Sequence, residues 1–421
     1  MGALQCRPAR GVPPVMARSA DKTAALSRTY PPFPVAPGRF DQKHEMFKRV
    51  AWDEDFAHLG RRFYADIVYK DKVGYRQIDY AFRNAAWNLE WQWGFGNSRS
   101  NSGLYSWEGV PAKMQCYLDQ AERLPLQAGE ATALVKRVAR FLGADLVGVC
   151  RVYPGWVYSH EFDLVERTHR RLELPKGCRN AVVMAVEMDY EALRSSPTGV
   201  GGAGTGLGYS RMAFVAGLLA VFIRGLGYRA VPSGNDTALS VPLALAAGLG
   251  EVGRHGLLIT EEYGPRVRLC KVFTDLPLKC DEYRPFGVEE FCRECKQCAA
   301  HCPSRALSFM EKTLEGPSIC NHSGIPKWYI DAEKCFSFWA QNRLDCANCI
   351  RACPFNKKPG LHHAAVRAVV RRTGAFNGLF TAADRMLGYE DQVPAAHFWE
   401  GGARGRGRTP RGHASPGVKP A

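Results

Sequence analysis

No continuous apolar stretch in this 421-residue chain approaches the length of a membrane helix. The longest, residues 212–223, has twelve residues and is closed off by Arg211 and Arg224, where about 20 are required. The N-terminus lacks the apolar core of a secretory signal. The pair Arg61-Arg62 has no apolar stretch behind it, so it does not read as a twin-arginine export signal, and a cytoplasmic location is expected. Acid is scarce at both ends: six Lys/Arg face one Asp in residues 1–39, and five face none in residues 401–421. The formal charge of +15 therefore sits largely in the terminal segments, and nucleic acid is not the expected partner. Paired cysteine spacing is missing outside one stretch. Cys6, Cys116, Cys150, Cys178, Cys270, Cys280 and Cys320 are scattered and odd in number, which argues against a disulfide framework.

The remaining cysteines are ordered. Cys292, Cys295, Cys298 and Cys302-Pro303 spell C-x2-C-x2-C-x3-C-P, and Cys335, Cys346, Cys349 and Cys353-Pro354 spell C-x10-C-x2-C-x3-C-P. These spacings fit two [4Fe–4S] clusters in a bacterial-ferredoxin arrangement, in which the Cys before Pro ligates the other cluster. Cys292, Cys295, Cys298 and Cys353 are thus assigned to one cluster, and Cys335, Cys346, Cys349 and Cys302 to the other. Zinc would use two C-x2-C pairs and leave the C-x3-C-P tails unexplained. Each all-thiolate cluster carries about −2 when oxidised, which brings the body of the chain close to neutral.

Five segments are expected. Residues 1–40, rich in Pro, Ala and Arg, read as a flexible arm. Residues 41–280 form an α+β body, 281–360 the cluster module, 361–400 a helical segment, and 401–421 a low-complexity, disordered tail. Trp87, Trp91 and Phe95 share one helix face by four-residue spacing, either as ordinary core or as the wall of an apolar pocket. A helix from 129 ends near Gly143 and leads into a strand at 144–152. Further strands are expected at 181–186, 257–260 and 267–276, and a buried helix at 210–226. Gly-rich turns are expected at 199–208, 233–236 and 248–250. Gly199, Gly201 and Gly204 satisfy G-x-G-x-x-G, but the preceding strand candidate ends too early and no ribose-binding acid follows, so a nicotinamide site is not expected.

Three stretches carry a resemblance: Gly208-Tyr209-Ser210-Arg211-Met212, Ser233-Gly234-Asn235-Asp236-Thr237 and Gly264-Pro265-Arg266-Val267-Arg268. They precede the cysteine runs, which close on Asp345-Cys346-Ala347-Asn348-Cys349-Ile350-Arg351-Ala352-Cys353-Pro354-Phe355-Asn356-Lys357. Together they resemble the catalytic subunit of reductive dehalogenases over roughly residues 130–390. The resemblance implies a nitroreductase-like α+β domain holding base-off cobalamin, followed by a two-cluster ferredoxin-like domain. It also implies that Co(I) cobalamin, fed by the clusters, removes halide from a small organohalide. The absence of a D-x-H-x-x-G cobalamin pattern agrees with a base-off cofactor. Carried over by residue, the resemblance implies that Tyr209 is the proton donor, that Asn235 holds the tyrosine or substrate, and that Arg268, or Arg266 in the same motif, is the positively charged neighbour of the tyrosine. Gly206, Gly208, Ser233 and Gly234 are the expected cobalamin contacts. A phenol titrating near pH 10 is a poor acid at neutral pH, and a guanidinium beside it favours the phenolate and eases proton transfer to a carbanion.

The expected substrate is an organohalide, possibly aromatic given the Trp and Phe supply. Without an appended reductase module, electrons are expected from an external ferredoxin or flavin reductase. Two other readings stay open. One is a tRNA-modifying enzyme like epoxyqueuosine reductase, against which stand the near-neutral body and the Tyr209 motif. The other is an iron–sulfur electron carrier, which would not need some 240 residues ahead of its clusters.

Overall fold

The computed structural model describes residues 31, 33–94, 103–109 and 121–401. Four strands build the central sheet: Leu146–Arg151 (β1), Asn180–Glu187 (β2), Ala230–Ser233 (β3) and Val267–Thr274 (β4). Their order is β1-β2-β4-β3. Every pairing is antiparallel, with Val149 opposite Val182, Val183 opposite Lys271, and Val231 opposite Phe273. β2 reads as an unbroken apolar run because both faces are covered. Val182, Met184 and Val186 point into one core with the helices Ala128–Phe141 (α1) and Gly199–Gly225 (α2). Ala181, Val183 and Ala185 point into the other with Trp156, Tyr158 and the helix Ser240–Ala246 (α3). The body is therefore a layered mixture of helix and sheet, as expected.

The 199–208 stretch is not a turn. It forms the first turns of α2, which opens on Thr198, whose side chain accepts from the Gly201 N–H, and runs for 27 residues. Helix interiors disfavour glycine, but here the glycines allow close packing. A Cβ on Gly199 would lie 2.9 Å from the Asp79 carbonyl oxygen, and one on Gly206 would lie 2.2 Å from Trp87 Cδ1. The helix Gln77–Trp93 fits against α2 through these positions. α2 is long and apolar enough by composition to cross a membrane, but 61% of its most apolar window is buried inside the protein. Its apolar surface is the core of the body, so the twelve-residue run marked only its least interrupted part.

The N-terminal arm is corrected in its last part. Phe33 stacks on Trp156 at 5.7 Å, Phe40 is buried, and Arg39 donates to the Val157 carbonyl at 3.0 Å. Residues 33–40 therefore belong to the body, although their proline content suggested a free segment. Residues 1–30, Phe95 and 402–421 lie outside the described residues. The cluster segment contains the helices Val288–Cys295, Gln297–Ala300, Ala332–Asn342 and Asn348–Arg351. The expected C-terminal helices are Leu361–Arg372 and Asn377–Met386.

Candidate active site

The ring of Tyr209, on α2, lies between a cation and an indole. The Arg268 guanidinium stands 4.6 Å from its centroid, and Trp87 stacks on it at 4.7 Å with a 22° tilt, both favourable contacts for an aromatic ring. Asn235, in the turn after β3, donates from Nδ2 to the Tyr209 hydroxyl oxygen at 2.9 Å. Asn235 thus occupies the phenol oxygen as a donor and leaves the phenolic O–H to donate elsewhere. The structure thus brings Tyr209, Asn235 and Arg268 together. Arg266 is excluded from the role. It is buried and committed to Glu187 at 2.5 Å and Asn356 at 2.9 Å.

Glycine at 208 opens the route for Arg268, since a Cβ there would stand 3.0 Å from Arg268 Cγ. The other expected cobalamin contacts are likewise taken up by the protein. Gly206 faces Trp87, a Cβ on Gly234 would lie 2.6 Å from the Tyr105 hydroxyl, and the buried Ser233 donates to the Asp236 carbonyl at 2.7 Å. At these four positions only backbone remains to offer a cofactor. Within the two motifs only Asn235 is exposed, and Leu207, just before the first, is exposed as well. Gly206→Ala should drive Trp87 off Tyr209 and destabilise the protein by about 1–3 kcal/mol. A lowered thermal midpoint with altered tryptophan fluorescence would register it, and an unchanged midpoint would contradict it.

Sequence reasoning left the surroundings of Tyr209 largely unread. Trp87 donates from Nε1 to the Gly202 carbonyl at 3.1 Å and to Asp345 at 3.3 Å. Arg83 grips the same Asp345 with two hydrogen bonds, at 2.7 and 3.0 Å, a buried bidentate pair. Trp91 stacks on Trp87 at 5.7 Å. Tyr64 presents half its surface to solvent, yet the burial around its phenol, with Asp345 and Tyr209 nearby, pushes its pKa up. The turn carrying Asn235 is held by the fully buried Lys271. Its ammonium donates to the carbonyls of Gly234, Asp236 (3.1 Å) and Ala238 (3.0 Å) and to Ser240 Oγ (3.0 Å), and burial lowers its pKa to about 8. A lysine inside the apolar run of β4 was the one visible signal.

Two acids, the partly exposed Glu45 and the buried Glu90, back this turn. Glu45 accepts from the Tyr158 hydroxyl, which is 3.4 Å from the Asn235 carbonyl oxygen, and burial raises Glu45 to about 7. Glu90 is 8% exposed, 3.5 Å from the Tyr105 hydroxyl, and raised to about 8 by burial and the nearby Asp236. An acid whose folded pKa is raised contributes stability below its unfolded value that is lost as pH rises through the folded value. Between roughly pH 4.5 and pH 8 the wild-type thermal midpoint should therefore fall. Glu90→Gln should flatten that slope and gain up to about 4 kcal/mol at pH 9. Equal slopes in the two proteins would show that Glu90 is not the group responsible.

The eight ordered cysteines gather in two cavities, crossed between the runs. Cys292, Cys295, Cys298 and Cys353 line one, beside Arg254 and His255. Cys302, Cys335, Cys346 and Cys349 line the other, beside Trp339 and Asn348. Burial pushes Cys292 up to about 12 and Cys349 up to about 11. Four such thiols facing one small chamber become stable thiolates only around a cationic core, the donor set of an iron–sulfur cluster. The second cavity is the one nearer Tyr209. The charge of Arg268 reaches Cys349, and Ser196 bridges this loop to α2, accepting from the Ala347 N–H at 2.7 Å and donating to Asn348 at 2.9 Å. The buried Arg254 donates to the carbonyls of Cys292 (3.0 Å), Ser308 (2.8 Å) and Met310 (2.9 Å), tying the first cavity to the body.

Residues 291–357 match the family of 4Fe-4S dicluster domains. A tetrachloroethene reductive dehalogenase from Desulfitobacterium hafniense is 38% identical over 309 residues, 64% of this chain and 56% of that protein. One from Sulfurospirillum multivorans is 34% identical over 359 residues, 78% of this chain and 71% of that protein. A solved structure of the catabolic reductive dehalogenase NpRdhA in complex with 3-bromo-4-hydroxybenzoic acid has a TM-score of 0.64 at 25% identity, covering 84% of this chain and 46% of that one. The chain spans about half the length of the first curated relatives it matches. With 71% of the Sulfurospirillum protein covered at 34% identity, the chain belongs to the reductive dehalogenase family.

Proposed function

We propose that the chain catalyses reductive removal of halide from a small organohalide, taking up two electrons and one proton and releasing halide and the hydrogenated product. The observation that carries this reading is the Tyr209 hydroxyl, held by Asn235 at 2.9 Å and flanked by Arg268 and Trp87. The two crossed sets of four cysteines hold one [4Fe–4S] cluster each. The layered body is a nitroreductase-like domain for base-off cobalamin. When bound there, the corrin would supply the low-potential electrons for breaking the carbon–halogen bond. The residues present suit such a group, since the exposed Asn235 bonds the Tyr209 hydroxyl, Trp91 presents an exposed ring next to Trp87, and the buried Arg268 Nε has no hydrogen-bond partner.

In this scheme Trp87 and Trp91 form an apolar wall that excludes water and orients the substrate. Arg268 and Asn235 hold the phenol so that its proton points at the carbon losing halide. Tyr209 gives up that proton as negative charge develops there, and the guanidinium at its ring face and the amide on its oxygen steady the phenolate left behind. With clusters bound, the cavity of Cys292 would take electrons from an external ferredoxin or flavin reductase, and that of Cys349, on the Tyr209 side, would pass them on. The test is anaerobic reconstitution with iron, sulfide and cobalamin, followed by halide-release assays on tetrachloroethene and on brominated and chlorinated phenols. About eight iron and one corrin per chain with halide release support the reading. Eight iron with no corrin and no release would withdraw it.

A further inference from the structure

On the far side of the Asn235 turn, three metal-ligating side chains converge. The strands His160–Phe162 and His169–Arg171 form an antiparallel hairpin that pairs His160 with Arg171 and Phe162 with His169. The two histidines are diagonal neighbours, and their rings approach to 4.7 Å. Asp41, which caps the short turn Gln42–His44, reaches in from the N-terminal segment. Both of its carboxylate oxygens lie 3.0 Å from His169 Nε2, and Oδ2 lies 3.7 Å from His160 Nδ1. All three ligand atoms fall within 4.8 Å of one another.

These spacings suit a metal better than hydrogen bonding alone. At 3.7 Å, His160 Nδ1 is beyond hydrogen-bond range of Asp41, yet it is held toward it, with Ser159 Oγ at 3.1 Å. A tetrahedral zinc with bonds of about 2.0–2.2 Å sets its ligand atoms about 3.3–3.5 Å apart, and the observed 3.0 and 3.7 Å straddle that distance.

We propose that Asp41, His160 and His169 bind a borderline divalent transition-metal ion, zinc in the first instance, with the remaining coordination open to water. Two imidazoles and one carboxylate are a common ligand set for such ions. The site is separate from the cysteine cavities and from Tyr209. Its role is structural. The ion joins segments 128 residues apart in sequence and fixes the N-terminal segment whose Glu45 meets Tyr158 behind the Asn235 turn.

The protein with both clusters loaded is exposed to zinc, passed through a desalting column and assayed for metals. One zinc per chain beyond the iron is expected. The double variant His160→Ala/His169→Ala should retain none at unchanged iron content. Equal zinc in the two proteins, or none in either, overturns the site. A second measurement needs no variant: carbethoxylation of His160 and His169, followed by mass spectrometry. Zinc at ten times its Kd should slow both reactions about tenfold and leave the exposed His58 unaffected. Equal rates with and without zinc would refute the proposal independently.

Discussion

Tyr209→Phe should lower dehalogenation by about 10²–10⁴-fold, the usual contribution of a positioned general acid, while iron content, corrin content and cluster EPR stay as in the wild type. The substitution is unusually clean. Phenylalanine keeps the stack on Trp87 and the contact with Arg268, at 4.7 and 4.6 Å, and only the hydroxyl that meets Asn235 is lost. A collapse of the wall or of the α2 packing is therefore not the expected cause of failure. What remains is protonation by water, which leaves a residual rate and a solvent-derived hydrogen in the product. A variant that retains both clusters and the corrin and dehalogenates at the full rate would remove Tyr209 from the mechanism. It would leave the ring as part of an aromatic wall.

The second large effect concerns how the cysteines are shared. Cys298→Ala combined with Cys353→Ala should leave about four iron per chain, because both residues line the same cavity and one [4Fe–4S] cluster survives. Cys298→Ala combined with Cys302→Ala should leave almost none, because those two residues, though close in sequence, line different cavities. A linear arrangement, with each run serving its own cluster, predicts the opposite pair of results. Iron content after anaerobic reconstitution decides between them. The comparison needs no substrate, so it stands even if the organohalide is never found.

The two parts of the site were legible in the sequence to very different degrees. The cluster cysteines could be read because a metal core fixes its ligands at short, invariant spacings, and the crossing at Cys302 and Cys353 follows from the proline after each. Tyr209, Asn235 and Arg268 were legible only through resemblance, as nothing about a tyrosine inside a glycine-rich run marks it locally. The run itself misled, because glycine weakens helices in isolation. Only the neighbouring Gln77–Trp93 helix, with Trp87 pressed against Gly206, explains why α2 starts at Gly199. Arg83 and Asp345 lie 262 residues apart. No local pattern joins them, and the same is true of Glu45 with Tyr158. Membership of the family favours the proposed dehalogenase reading over the other two that the sequence alone left open.

Asp345 immediately precedes Cys346, and through Arg83 and its own carboxylate it holds the indole that lies against Tyr209. The cysteine loop and the aromatic wall beside Tyr209 are thus one mechanical unit. On the proposed function, stripping iron from this loop would both interrupt the current and slacken the fastening of Trp87, so rebuilding the loop would have to come before recovery of the wall.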